Sequence, residues 1–172
     1  MSHEDAVTLI KNAVTGDVPQ RWADLGCGTG TFTKALYSLL PSGSYITAID
    51  RERQHLDLPG AEFVRANFEK DELGLSGLDG ILMANSLHYV KDKAALIRKL
   101  KVLFADDPKF IVIEYDNRKA NPWVPYPIPF EQLESLFKGL GYTKIRKIAE
   151  RASAYSGMIY CALIEGMPEL QR

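Results

Sequence analysis

The sequence predicts an α/β fold: a doubly wound, mostly parallel seven-stranded sheet that ends in an antiparallel hairpin and carries helices on both faces. Three observations predict it. Short apolar runs alternate with segments of helical periodicity as far as Gly141. The first run, ending at Leu25, passes through three alternating glycines, Gly26, Gly28 and Gly30, straight into a helical stripe. Beyond Gly141 two further strands follow with no helix between them, which is the pattern of a hairpin. Right-handed crossovers leave few topologies for this order other than a doubly wound sheet.

The elements follow in order. Ser2-His3-Glu4-Asp5 reads as a capping box, and Val7, Ile10, Ala13 and Val14 share one face of a short amphipathic helix within residues 2–15. That helix either covers the sheet or lies over a ligand. Arg21 to Leu25 is the first strand, and Phe32, Ala35, Leu36, Leu39 and Leu40 give the helix that Pro41-Ser42-Gly43 stops. Tyr45 to Asp50 is the second strand. The polar Arg51-Glu52-Arg53-Gln54 and the reset at Pro59-Gly60 make the next crossover an abbreviated one. Ala61 to Arg65 is a third strand, ending at Ala66-Asn67-Phe68. Asp79 to Asn85 is the fourth, read as continuing through Ser86-Leu87-His88-Tyr89-Val90. Asp92 caps a helix with Leu96, Ile97, Leu100, Leu103 and Phe104 inward. Lys109 to Tyr115 is an apolar fifth strand, and Phe130, Leu133, Leu136, Phe137 and Leu140 form the last helical stripe, closed by Gly141. Tyr142 to Ala149 and Tyr155 to Ile164 are the hairpin, joined through residues 150–154.

Length and composition bound the possibilities. A chain of 172 residues is expected to form one domain, residues 1–172, with an N-terminal helix in 1–20 and a core in 21–172. A chain of this size buries roughly 70% of its unfolded surface. The net charge of −1 argues against a wholesale nucleic-acid partner, and the basic cluster Lys138, Lys144, Arg146, Lys147 and Arg151 reads first as a solvated face. No apolar run is long enough to span a bilayer and no secretory pattern opens the chain, so the expected compartment is cytoplasmic. Cys27 and Cys161 form neither a disulfide framework nor a metal spacing, and no metal is expected.

The glycine turn carries the chemistry. Alternating glycines allow positive φ and let a ligand approach main-chain N–H groups with no Cβ in the way. A dinucleotide fingerprint would need a small third residue where Thr31 stands; here the third glycine comes one residue earlier, at Gly30, and Asp24 precedes the first by two. Asp50 ends the second strand, where α/β nucleoside sites place the acid that accepts both ribose hydroxyls.

The stretch Asp24-Leu25-Gly26-Cys27-Gly28-Thr29-Gly30 resembles the first motif of the class I S-adenosylmethionine (SAM)-dependent methyltransferases. The resemblance covers nearly the whole chain, since that family closes its sheet with an antiparallel seventh strand beside the fifth. It implies SAM as cofactor, with S-adenosylhomocysteine as product. The cofactor-binding residues it implies are Asp24, which would face the ammonium group, the turn residues Gly26, Cys27, Gly28 and Gly30, then Asp50, Arg51, Asn67, Phe68 and Asn85. Asn67 falls where the family meets the adenine amino group; a plain turn residue is the competing reading. The run Asn85-Ser86-Leu87-His88-Tyr89-Val90 is similar to the Asn-x-Leu-His-x-Val segment of the ubiquinone-type, small-molecule branch, which makes His88 the candidate general base. Packing over the cofactor or a helix start is its alternative.

Residues 116–129 alternate Pro122, Pro125, Pro127 and Pro129 with Trp123, Val124, Tyr126 and Ile128. Restricted backbone and flat apolar side chains suit a lid, so Tyr89, Trp123 and Tyr126 are the candidate substrate contacts. The leading expectation is methyl transfer to a small, partly apolar or aromatic acceptor. A protein or RNA methyltransferase and a SAM-binding partner or sensor without catalysis stand beside it. An NAD-dependent oxidoreductase is disfavoured by Thr31 and the terminal hairpin.

Overall fold

Each run read as a strand pairs into one seven-stranded sheet of order β3-β2-β1-β4-β5-β7-β6 in a computed structural model that describes residues 1–155 and 157–167. The strands are β1 (Arg21–Leu25), β2 (Tyr45–Asp50), β3 (Ala61–Arg65), β4 (Gly80–Ala84), β5 (Phe110–Tyr115), β6 (Lys144–Ala152) and β7 (Met158–Glu165). Four helices accompany them among the described residues: α1 (His3–Ile10), α2 (Thr31–Leu39), α3 (Lys93–Lys101) and α4 (Phe130–Gly139). The first five strands are mutually parallel, and β7 runs antiparallel between β5 and β6, with Phe110 opposite Ile164 and Tyr115 opposite Ile159.

Two cores form because the central strands are apolar on both faces. On one face α1 and α2 bring Ala6, Leu9, Ile10 and Leu36 onto Trp22, Ile46 and Ile113. On the other, α3 and α4 bring Leu96, Ile97, Leu133 and Phe137 onto Ile81, Met83 and Phe110. Helices on both faces are therefore as expected. Neither crossover beside β3 holds an α-helix; after β3 the chain covers the sheet instead with Phe68, Leu73 and Leu75 packed against the core. Caps act where the sequence places them: Ser2 Oγ accepts from Asp5 N–H at 3.1 Å, and Asp92 Oδ1 from Ala95 N–H at 3.0 Å.

Two boundaries differ from expectation. β4 stops at Ala84 rather than running into residues 86–90, because Asn85 takes a left-handed φ of 55° and a 3-10 turn, Leu87–Tyr89, follows. The hairpin turn lies later than residues 150–154. A bulge between Lys147 and Ala149 shifts the register, Ala152 still pairs with Met158, and Ser153 N–H closes the turn on the Gly157 carbonyl at 2.8 Å. No helix of the described residues is long and apolar enough to cross a membrane.

Candidate functional site

The sheet order reverses between β1 and β4, so their C-terminal ends splay apart and leave a crevice. The glycine turn fills its floor. Gly26 and Cys27 both donate to the Ile49 carbonyl, at 2.7 and 3.0 Å, which pins the turn to β2. Gly26 has φ 78°, and a Cβ there would sit 2.5 Å from the Ser86 Cβ; Ser86 Oγ in turn donates to the Leu25 carbonyl at 2.7 Å. At Gly28, φ is 53° and a Cβ would meet nothing within 4 Å. One glycine is demanded by packing and the other keeps a space clear.

That space is a cavity of about 510 Å³, within the range of small-molecule sites. Asp24, Gly26, Cys27 and Gly28 line it from β1 and the turn. Asp50 and Arg51 line it from β2, Asn67 and Phe68 from the end of β3, and Asn85 and Tyr89 from beyond β4. Met1, ahead of α1, also reaches it, while the body of the helix packs on α2 and on β6 and β7. Gly30 stands outside the wall and starts α2 with a φ of 88°.

Its polar groups are unequally satisfied. Asp50 Oδ2 accepts from Gly28 N–H and Oδ1 from Glu52 N–H, each at 2.9 Å, which leaves one lone pair on each oxygen. Asp24 is 1% exposed; its Oδ2 accepts from the Thr33 hydroxyl at 2.6 Å, while Oδ1 has no partner. Burial pushes its carboxyl up to about 7; the Thr33 bond works against that shift and the nearby Asp50 charge adds to it. Asn85 Oδ1 is likewise buried without a partner. Two unpaired acceptors on one wall call for a ligand group with several donors.

Asn67 serves a local turn and also reaches the cavity. Its Oδ1 accepts from Glu69 and Lys70 N–H at 3.0 and 3.2 Å, so the amide oxygen closes a local turn and is not held free for an adenine amino group. The turn reading describes it better, although the residue does line the cavity.

His88 is 2% exposed and not on the cavity wall. Its Nδ1 lies 2.8 Å from Glu114 Oε2, its own N–H donates to Glu114 Oε1 at 3.0 Å, and its carbonyl accepts from Tyr126 N–H at 2.9 Å. The Tyr89 ring packs over the imidazole with centroids 4.4 Å apart. Glu114, fully buried near the end of β5, is the residue that sequence reasoning missed. Its only signal was a charge near the end of an otherwise apolar strand.

The proline-rich stretch is a tied strap. Lys93 Nζ donates to the Val90 and Tyr126 carbonyls, both at 2.8 Å, and the Tyr160 hydroxyl donates to Ile128 at 2.6 Å. Trp123 is 76% exposed, and neither it nor Tyr126 reaches the cavity. Burial lowers the Lys93 pKa, and the charges of Glu114 and Glu69 oppose that shift. In the basic cluster, Lys138 pairs with Glu134, Arg146 with Glu165, Lys147 with Asp116 and Glu150, and Arg151 with Asp5. A solvated face with four of its five cations in ion pairs describes it.

A family model described as "Methyltransferase domain" matches residues 23–109, the glycine turn, the crevice and the strands that frame it. The chain belongs to that family. Its fold is the Rossmann-like one of the class I SAM-dependent methyltransferases, and SAM is the cofactor of that class. Solved methyltransferases superpose over most of the chain at low identity. The plantazolicin methyltransferase BpumL in complex with SAH is 13% identical, with a TM-score of 0.65, over 94% of this chain and 82% of that one. A SAM-dependent methyltransferase from Aquifex aeolicus is 17% identical, with a TM-score of 0.66, over 94% and 88%. Phosphoethanolamine N-methyltransferase 2 of Haemonchus contortus, in complex with phosphomonomethylethanolamine and SAH, is 11% identical, with a TM-score of 0.72, over 96% and 53%. No curated protein sequence matches significantly. The seventh methyltransferase strand lies beside the fifth, as the resemblance implied.

Proposed function

We propose that this methyltransferase domain transfers the methyl group of SAM to a small, partly apolar or aromatic acceptor. The observation that carries the reading is the pair of buried, unpartnered oxygens, Asp24 Oδ1 and Asn85 Oδ1, on the wall of the cavity that the glycine turn keeps open. They suit the three donors of an α-ammonium group. Asp50 has one lone pair left on each oxygen for a pair of ribose hydroxyls, and Gly28 leaves room for a close approach to the backbone. Bound there, SAM supplies an electrophilic methyl group, so the chain has mainly to orient the acceptor and manage its proton.

His88 is the proposed base. A proton on Nδ1, donated to Glu114, leaves the lone pair on Nε2, and the Glu114 carboxylate stabilises the imidazolium formed when Nε2 takes the acceptor's proton. Glu114 is thereby a positioning residue. His88→Ala is expected to lower kcat by about 10²–10⁴-fold while SAH binding holds. Glu114→Gln should lower kcat as well while SAH binding holds, because the imidazolium then forms without a carboxylate beside it.

Calorimetry with SAM and SAH tests the site first, on wild type, Asp50→Ala and Asp24→Asn. Micromolar binding lost in both variants supports it. Heatless titrations and unchanged thermal denaturation of folded wild-type protein would overturn it. One observation favours a second reading, a SAM-binding partner or sensor without catalysis: His88 lies off the cavity wall, beneath Tyr89. Methyl transfer from labelled SAM to any of a panel of hydroxylated aromatics separates the two.

A further inference from the structure

Tyr89 borders both the cofactor cavity and the His88 imidazole. It lines the cavity, is 53% exposed and holds its ring 4.4 Å from the His88 ring. The two rings differ in freedom. His88 is fixed through Nδ1, through its N–H and through its carbonyl, on β5 and on the strap. The Tyr89 hydroxyl has no hydrogen-bond partner among the described residues, and its ring has solvent to swing into. If one ring yields, it is Tyr89.

We propose that Tyr89 is the gate of the acceptor site and that its side chain holds the place of the acceptor, a planar phenol-like molecule that stacks over His88 once Tyr89 turns out. This rests on the methyltransferase reading and names the substrate class of that site. Turning the Tyr89 ring out uncovers the face of the imidazole that one hydroxylated six-membered ring now covers. The imidazole walls the vacated place on one side, and Tyr115, half-buried with its ring 6.1 Å from that of His88, belongs to the same aromatic cluster. Flat aromatic walls select a flat guest. A phenol brings to His88 a weakly acidic proton for a base to take, and the cavity borders the place that Tyr89 leaves.

Diethyl pyrocarbonate modification, mapped by peptide mass spectrometry, reads whether His88 can be reached. His3 and His55 are exposed and serve as internal references. In wild type and Tyr89→Phe, His88 is expected to react at least about tenfold more slowly than they do, because reaction waits on local opening. Tyr89→Ala should bring His88 close to the reference rates. Adding 4-methylphenol, the side chain of tyrosine, to the Tyr89→Ala protein should restore protection, and 4-methylcyclohexanol, similar in size but not flat, should not. Equal His88 rates in wild type and Tyr89→Ala would overturn the gate. Equal protection by the two alcohols, or by neither, would overturn the phenol class. None of these readouts needs methyl transfer. SAH calorimetry on the same samples reports separately on the cofactor reading, so the failure of one is distinguishable from the failure of the other.

Discussion

Asp24 gives the cavity a pH dependence whose sign follows from its burial. The folded carboxyl is held at about 7, against 3.8 for a carboxyl free in water, so between these values the folded chain keeps a proton that the unfolded chain releases. Stability of the ligand-free protein therefore falls as pH rises through that window. Asp24→Asn should abolish that slope and be the more stable protein above pH 7, as read by urea denaturation at pH 5 and pH 8. Binding of a cation runs the other way: SAH affinity should rise toward neutrality and level off, by up to about tenfold per pH unit below the pKa, and the Asn variant should bind weakly at every pH. Single residues were legible in the sequence where their partners are local. The glycines and the two strand-end acids belong to one turn and its neighbour. Glu114 was not legible, because it meets His88 across 26 positions and only the adjacency of β4 and β5 brings them together. At Asn67 two readings stood side by side, because backbone donors two and three residues ahead are always within reach of such a side chain.

The glycine turn and the strap make separable predictions at the scale of elements. Gly26→Ala must force φ 78° on a residue with a Cβ and drive that Cβ into Ser86, so it should destabilise the fold by roughly 2–4 kcal/mol. Gly28→Ala meets only the backbone term, about 1–2 kcal/mol, and should cost more in SAH affinity than in stability. Denaturation and calorimetry on both variants would show that crossed pattern. For the strap, Lys93→Met removes both bonds to the Val90 and Tyr126 carbonyls. Hydrogen exchange should then speed up at the amide of Tyr126, with a stability loss of about 1–3 kcal/mol. Strand and helix identities were readable because periodicity is a local record of burial. The end of β4 was not, since an apolar run such as residues 80–90 looks the same whether or not one residue, here Asn85, steps into left-handed backbone.

The whole molecule is assembled so that the crevice rests on both layers. α1 and α2 back one face of the sheet, α3 and α4 the other, and the ion pair between Arg151 and Asp5 merely fastens α1 to β6 at the surface. Arg151→Ala should change stability by less than about 1 kcal/mol in thermal denaturation, because both partners are more than a third exposed. Topology was legible through the order of elements, and the hairpin was its most informative part. That hairpin also imposes an order on synthesis. β7 lies inside the sheet between β5 and β6, yet it leaves the ribosome after every strand it pairs with. Until it arrives, the outer edge of β5 is a row of open N–H and C=O groups on an apolar strand, a template for any other nascent chain. A stalled ribosome that releases the chain before Met158 would therefore leave a product that aggregates rather than one that folds with a weakened site.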